Sequence, residues 1–365
     1  MHLFPEIEKT YSTSRMTARE AQRLSQFIAF GPIVFQTSRL MIKWGLLDSL
    51  REQEQTQAEL VARSGLSEYA VKVLLEASLS IGLVLINPET DKYSLSKVGW
   101  FLLTDPATRV NIDFNHDVNY EGFFRMEEAL ETGKPAGLKH FGDWPTLYEG
   151  LSSLPEQAQK SWFQFDHFYS DGSFDQALEQ IFRYHPKHIM DVGGNTGRFA
   201  LRCVGYDPEV RVTIIDLPQQ LALMRKATAG RPGAERIDAC PMNMLDAEGR
   251  FPETLRPDLI WMSQFLDCFS EPEILSILSR AARVMGPGTR LCIMETFWDR
   301  QRFEPAAFCL TMTSLYFTVM ANGNSKMYHS DDMLRLVGQA GLEVEAIHDG
   351  LGLGHSIVVC KLKRP

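Results

Sequence analysis

Apolar positions change their period along this chain. From Ala18 to Asp48, Leu24, Phe27, Ile28, Phe35, Leu40, Trp44 and Leu47 recur at mostly helical spacing, and Gly31-Pro32 breaks the run into two helices. The stretch QAELVARSGLSEYAVKVLLEASLSIGLV then predicts a helix, a turn at Ser64-Gly65 and a second helix from near Ser67. LVLINPETDKYSLS predicts strand, turn and strand, which completes the order of a winged helix-turn-helix. Residues 106–180 read as helical and rich in aromatics, punctuated by Gly142, Pro145, Gly150 and Pro155. Within them Trp162, Phe163, Phe165, Phe168 and Phe174 crowd together, most as core and one or two as pocket lining. After Tyr184 the apolar residues come in short unbroken runs, HIMDV, VRVTIID, DLIWMSQF and TRLCIMETF, alternating with helical segments. Such runs are strands of a parallel sheet covered on both faces. At the end LEVEAIHD and HSIVVCKLK, joined by GLGLG, predict an antiparallel hairpin.

The pattern divides the chain into a helical winged-helix domain (1–105), a helical connecting region (106–180) and an α/β domain (181–365). A length of 365 residues agrees with more than one domain, and 44% hydrophobic with 23% charged residues fits a globular core. The net charge of −9 argues against binding a phosphate backbone. The second helix of the winged unit, Ser67 to Leu79, sets Lys72 against Glu68 and Glu76, whereas a helix that reads DNA is basic. Dimerisation or covering a substrate is therefore the expected role of this unit, and no nucleic-acid partner is expected. The six cysteines lie scattered with no CxxC pair, as reduced thiols do, and the nine histidines show no metal-ligand spacing. Pro5, Glu6 and Glu8 do not fit a signal peptide, and no run approaches the ~20 apolar residues of a membrane span. The expectation is a cytoplasmic protein with no metal and no membrane association.

The most specific feature is IMDVGGNTGRFAL, residues 189–201, which reads as strand, glycine loop and helix. A dinucleotide loop needs G-x-G-x-x-G, but the frame ending at Gly197 has Val192 where its first glycine belongs. Asp191 stands at the strand end instead. A pyrophosphate would be repelled by that carboxylate, whereas an ammonium would be drawn to it. S-adenosylmethionine offers an ammonium, a carboxylate and a sulphonium. Asp216, in IIDLPQQL, ends the next strand, where a carboxylate accepts hydrogen bonds from both ribose hydroxyls. A helix-capping role is the alternative for it.

Taken in order, DVGGNTGRF, IIDLPQQ, PMNML, MSQFLDCFSEPEIL, LCIMETF and HSDDMLRLVGQAGLE resemble the small-molecule O-methyltransferases of plant phenolic and bacterial antibiotic pathways. The resemblance covers nearly the whole chain. It implies a class I S-adenosylmethionine-dependent fold, a Rossmann-like seven-stranded sheet with a reversed last strand, and a mainly helical winged-helix dimerisation domain that makes a homodimer. By the same resemblance Asp191, Gly193, Gly194 and Gly197 surround the methionine part of the cofactor. Asp216 takes the ribose, with Leu217 beside the adenine. Asn243 and Met244 fall at the adenine, Asn243 replacing the family's usual Asp, and Ser263 stands where plant members have Lys.

The family carries its base as His in an H-D-W segment after the fourth strand, and here that segment reads Asp267, Cys268 and Phe269. Ser270 and Glu273 form a capping-box pattern with Pro272 in the first helical turn, which fixes where Asp267 sits. Three accounts of Asp267 compete: it is the base, its pKa raised by burial; it orients the acceptor while His116 or His167 acts; or it is a solvated loop residue. The first is preferred. Glu295 matches a family Glu that orients the catalytic His and is expected to support the substrate here. Asp332 is explained by the first turn of a helix capped by Ser330. On the helix 308–322, Phe308, Met312 and Tyr316 lie at four-residue steps, and with Phe165, His116 and His167 they are the candidate substrate wall. The expected activity is methyl transfer to a hydroxyl of a small aromatic metabolite. C- or N-methylation on the same fold is the nearest alternative, and a ligand-sensing winged-helix transcriptional regulator the alternative of another class.

Overall fold

A computed structural model describes residues 3–246 and 248–363. The chain divides into two compact units, Ser14–Asp117 on the one hand and the residues up to Thr13 together with those from Val118 onward on the other. The sequence pattern places its divisions at 105 and 180. The helix Pro106–Phe114 stays with the N-terminal unit, its first turn held by Asp105, whose Oδ2 accepts from the Thr108 N–H at 2.8 Å.

In the N-terminal unit the helices Ala18–Ala29 and Gly31–Lys43 meet at Phe30, where the Gly31-Pro32 break is expected. The helix Gln57–Ser64 ends at Gly65, whose φ of +70° only glycine adopts readily. The helix Glu68–Ile81 follows, capped by Ser67, and then the hairpin Val84–Asn87 with Lys92–Leu95. Met41, Leu47, Leu60, Val71, Leu75 and Leu83, each at most 1% exposed, form the core of this winged unit. No residue of Ala18–Ala29 is buried within it, and Leu24, Phe27, Ile28, Phe30 and Ile33 stand exposed.

The larger unit is built on seven strands: β1 His188–Val192, β2 Arg211–Asp216, β3 Ile237–Pro241, β4 Leu259–Ser263, β5 Arg290–Glu295, β6 Leu342–Leu351 and β7 His355–Leu362. They lie in the order β3-β2-β1-β4-β5-β7-β6. β1 to β5 run parallel, and β7 is antiparallel to both β5 and β6. This is the reversed last strand that the resemblance implies. Six helices of this unit position the site: α1 Glu156–Asp171, α2 Arg198–Tyr206, α3 Pro218–Thr228, α4 Glu271–Val284, α5 Glu304–Tyr316 and α6 Ser330–Gln339.

Successive strand residues point to opposite faces, and both faces are apolar. Met190, Ile260, Met262 and Ile293 pack with α4 and α6 on one face. Ile189, Leu259, Trp261 and Cys292 pack with α2 and α3 on the other, where the Phe199 and Trp261 rings stack at 4.5 Å. Each such fully buried side chain contributes roughly 1.5–3 kcal/mol over leaving it in water. Because the strands β1 to β5 are parallel, the loops that follow them all open at the same edge of the sheet, where α/β folds place their ligands.

The cap of α6 is His329, whose Nδ1 accepts from the Asp331 N–H at 3.0 Å, and not Ser330 as the sequence suggests. Ser330 is already engaged, its N–H and hydroxyl donating to Asp299 at 2.7 and 2.5 Å. Among the described residues no helix is long and apolar enough to cross a membrane.

His355 at the start of β7 is fully buried, its Nδ1 2.7 Å from the Ser173 hydroxyl, and burial pushes its pKa down from 6.5 to about 4. A depressed histidine stabilises the fold above its unfolded pKa and loses that contribution as pH falls from 6.5 through 4. The loss amounts to up to about 3 kcal/mol. Thermal melting should therefore show wild type losing more of its midpoint between pH 7 and 4.5 than His355→Gln does, and parallel losses would contradict this.

Candidate active site

The loop after β1 is shaped by what glycine lacks. At Gly193, with φ +78°, a Cβ would come within 2.2 Å of the Phe265 ring. At Gly194 it would come within 2.7 Å of Asp191 Oδ2. Gly197, with φ +77°, starts α2. Beneath this cradle Asp191 is 2% exposed, and its Oδ2 has no hydrogen-bond partner. Burial, and then the charge of Asp216, push its pKa up to about 7. A buried carboxyl oxygen left without a donor costs about 1–3 kcal/mol, so the site fits a ligand that brings a donor or a cation there. At the end of β2, Asp216 accepts from the Asn195 N–H at 2.9 Å through Oδ2 and from the Leu217 N–H at 2.7 Å through Oδ1. Its pKa is still raised, because burial outweighs those bonds. Each oxygen keeps a second lone pair for a ligand hydroxyl.

After β3 the Asn243 side chain turns back on its own loop, with Oδ1 accepting from the Leu245 N–H at 2.9 Å. Across the loop, Arg280 of α4 donates to the carbonyls of Met244, Asp246 and Gly249 at 2.6, 2.9 and 3.0 Å. That guanidinium is buried, and it fixes the segment that presents Asn243, Met244 and Leu245 to the cavity. Nothing in the sequence marks it, since an Arg on an amphipathic helix ordinarily belongs to the solvent face.

β4 ends in a strained turn. Gln264 takes φ +46° in the left-handed region, a strain of roughly 1 kcal/mol or more that persists only where the surroundings enforce it. Glu295, at the end of β5, enforces it by accepting from the Phe265 and Leu266 N–H groups at 3.1 and 2.9 Å. The next turn holds Asp267, 5% exposed, with the Cys268 thiol donating to its Oδ1 at 3.4 Å. The carbonyls that follow are tied down as well: Asn322 Nδ2 donates to Cys268 O, and the Tyr328 hydroxyl donates to Phe269 O at 2.7 Å. The capping box of α4 is present, with Ser270 N–H donating to Glu273 at 2.8 Å. Burial pushes the pKa of Asp267 up to about 6. Burial, and then the charge of Asp267, hold Glu295 well above the usual carboxylate range.

Two cavities abut at Asp166, Gly193, Asn195 and Gln264. The smaller also touches Asp191, Gly194, Ser263 and His167. The larger takes in Asp216, Leu217, Asn243, Met244, Asp267 and Tyr316, and also Phe165. The structure thus brings together Asp191, Gly193, Gly194, Asp216, Leu217, Asn243, Met244, Ser263, Asp267, Phe165, His167 and Tyr316. Gly197 serves as the helix start, and Glu295 holds backbone without lining either cavity. His116 belongs to the N-terminal unit, with Nδ1 2.7 Å from Asp117. Phe308 and Met312 stand 54% and 46% exposed, whereas Tyr316 is buried with its hydroxyl accepting from Trp162 Nε1 at 2.7 Å. Each four-residue step rotates a helical side chain by about 40°, so the three drift off a common face. Asp166 lines both cavities and is not among the residues expected from sequence, although a carboxylate in the aromatic run WFQFDHFYS is itself a signal. Among the described residues no three of His, Cys, Asp or Glu converge to hold a metal ion.

Comparison with known proteins agrees with this fold. Residues 22–93 match the Dimerisation2-like domain, and residues 172–343 match the O-methyltransferase domain. A demethylspheroidene O-methyltransferase of Rhodobacter capsulatus is 22% identical over 331 residues, 90% of this chain and 78% of that protein. Among solved structures, the mitomycin 7-O-methyltransferase MmcR has a TM-score of 0.71 at 18% identity, covering 94% of this chain and 98% of that one. NcsB1, an O-methyltransferase from neocarzinostatin biosynthesis in complex with S-adenosylmethionine and 2-hydroxy-5-methyl naphthoic acid, has a TM-score of 0.66 at 20% identity, covering 90% and 95%.

Because the folded-state pKa of Asp267 is raised, its contribution to stability is intact below pH 4 and is lost as pH rises through about 6. Asp267→Asn keeps the shape without the charge. Its melting midpoint should exceed that of wild type at pH 8, by up to about 3 kcal/mol in stability, and the difference should shrink to under about 1 kcal/mol at pH 4. An equal shift at both pH values would show that Asp267 carries no buried charge.

Proposed function

We propose that this chain, a member of the S-adenosylmethionine-dependent O-methyltransferases that carry an N-terminal dimerisation domain, methylates a hydroxyl of a small aromatic metabolite with Asp267 as the base. The observation that carries the assignment of the base is the position of Asp267: buried, at the carboxyl end of β4, in the cavity that also holds Asp216 and Asn243.

The residues around the glycine loop fit the cofactor. The unpartnered oxygen of Asp191 takes its ammonium, and the missing Cβ atoms of Gly193 and Gly194 let its methionine part approach the backbone. Asp216 takes the ribose hydroxyls, and Leu217 and Met244, presented by the loop that Arg280 fixes, flank the base. When bound, S-adenosylmethionine supplies an electrophilic methyl group, whose bond to the acceptor oxygen forms as the C–S bond breaks and sulphur keeps the electron pair.

What remains for the protein is to hold the acceptor and take its proton. The hydroxyl O–H breaks as the proton passes to Asp267. A carboxylate raised to about 6 lies nearer to a phenol of pKa about 10 than an ordinary one does, and the surrounding low dielectric favours moving charge off Asp267. Glu295 acts as a positioning residue through the backbone of Phe265 and Leu266, which keeps Asp267 turned into the cavity. Phe165, Trp162 and Tyr316 offer flat apolar walls for an aromatic ring. The apolar strip of Leu24, Phe27, Ile28, Phe30 and Ile33 supports a homodimer through the N-terminal unit. The reading places this dimer in the cytoplasm. Neither C- nor N-methylation nor a regulatory role is favoured, since the matched domain is that of O-methyltransferases.

The acceptor is first identified as whatever gains mass when cell extract is incubated with isotope-labelled S-adenosylmethionine. On it, Asp267→Asn and Asp267→Ala should lower kcat by at least about a hundredfold, the usual scale of general-base catalysis. Their affinity for S-adenosylhomocysteine should stay within about threefold of wild type, and wild-type kcat should rise with pH through about 6. Full turnover by both variants would remove Asp267 as the base.

A further inference from the structure

Asp166 is the carboxyl of this region that the chemistry above leaves without a task. It projects from α1 into the wall shared by both cavities, where Asn195 Nδ2 donates to its Oδ2 at 3.4 Å. His167 Nδ1 lies 3.6 Å from the same oxygen. Arg198, whose guanidinium acts on Asp166 electrostatically, is already paired with Asp171. Asp166 and Asp267 line the same larger cavity. Among the described residues that line it there is no Lys, Arg or His, and Asp216 adds a third carboxyl. No fixed positive charge is therefore on hand to receive an anion. Burial, then the charge of Asp267, then that of Asp171, push the pKa of Asp166 up to about 7, against the pull of Arg198. Asp166 thus holds its proton up to near-neutral pH and is ionised together with Asp267 at pH 8.

We propose that Asp166 is a specificity-determining residue that hydrogen-bonds a second polar substituent of the acceptor, and that with Asp267 it restricts the cavity to acceptors bearing no carboxylate or phosphate. This rests on the methyltransferase reading of the site and narrows it. In a low-dielectric cavity a second anion a few ångströms from Asp267 is strongly repelled. A hydroxyl or amine there gains a partner instead, because a carboxyl that is protonated can donate to it and one that is ionised can accept from it. Acceptors with a neutral or cationic ring system and more than one polar substituent are the class favoured.

The test uses the full chain saturated with S-adenosylhomocysteine and three matched probes: 2-naphthol, 2,3-dihydroxynaphthalene and 3-hydroxy-2-naphthoate. Binding is followed by quenching of tryptophan emission, since Trp162 lines the cavity. In wild type at pH 8 the hydroxynaphthoate should bind at least about tenfold more weakly than 2-naphthol, and the dihydroxy probe more tightly than 2-naphthol. In Asp166→Asn the penalty on the hydroxynaphthoate should shrink to within about threefold, and in Asp166→Ala the advantage of the second hydroxyl should disappear. The wild-type comparison needs no variant to fold. Hydroxynaphthoate binding as tightly as 2-naphthol would overturn the proposal, and so would an unchanged penalty in both folded variants. Saturation with S-adenosylhomocysteine is measured first, so its failure would count against the methyltransferase reading and not against the role of Asp166.

Discussion

Carboxyl groups that have been taken out of water without a cation beside them govern this site. Asp191, Asp216 and Asp267 sit at the carboxyl ends of β1, β2 and beyond β4, and burial is the first cause of the raised pKa of each. Such a group is a liability in the isolated fold, because ionising it in a low dielectric costs stability that no salt bridge returns. It becomes an asset when a ligand supplies what is missing. On the proposed reading, an ammonium would satisfy the unpartnered oxygen of Asp191, while Asp216 and Asp267 keep lone pairs for hydroxyls. The parallel sheet makes this arrangement possible, since its strand ends gather residues distant in sequence at one edge while both its faces stay dry.

Holding those carboxyls in place falls to residues that line neither cavity. Glu295 spends one oxygen on two backbone N–H groups of the turn after β4, so the left-handed Gln264 and the buried Asp267 are fixed by one side chain from the neighbouring strand. Arg280 does the same for the loop after β3, with three carbonyls on one guanidinium. Asn322 and Tyr328, from the segment between α5 and α6, hold the carbonyls of Cys268 and Phe269. Asp267, which stands where the resembling family carries His, therefore sits in a scaffold built from several directions.

How much of this the sequence discloses follows from the range of each interaction. The strands β1, β2, β4 and β5 and the glycine loop are legible because their signals are local: unbroken apolar runs, glycines where φ is positive and a carboxylate at each strand end. β3 is illegible as a strand from its residues alone, since Ile237–Pro241 lies at the sheet edge, half exposed, with Asp238 as its second residue. Asp166 and Asp267 share a cavity although a hundred residues separate them, a juxtaposition that only the packing of α1 against the strand ends creates. Helical spacing names Phe308, Met312 and Tyr316 together but cannot say which of them faces inward, and only Tyr316 does. The departure at Asp267 is legible in the sequence, because it stands at a position fixed by the capping box that follows it.

If Asp191 waits near half-protonation for a cationic partner, binding must expel a proton. Calorimetric titration of the full chain with S-adenosylhomocysteine at pH 7, repeated in buffers of different ionisation enthalpy, measures that proton directly. With the Asp191 pKa at about 7, release of about half a proton per ligand is predicted, along with its disappearance in Asp191→Asn if that variant still binds. A binding enthalpy that does not vary with the buffer, or one that reports proton uptake, would contradict the account.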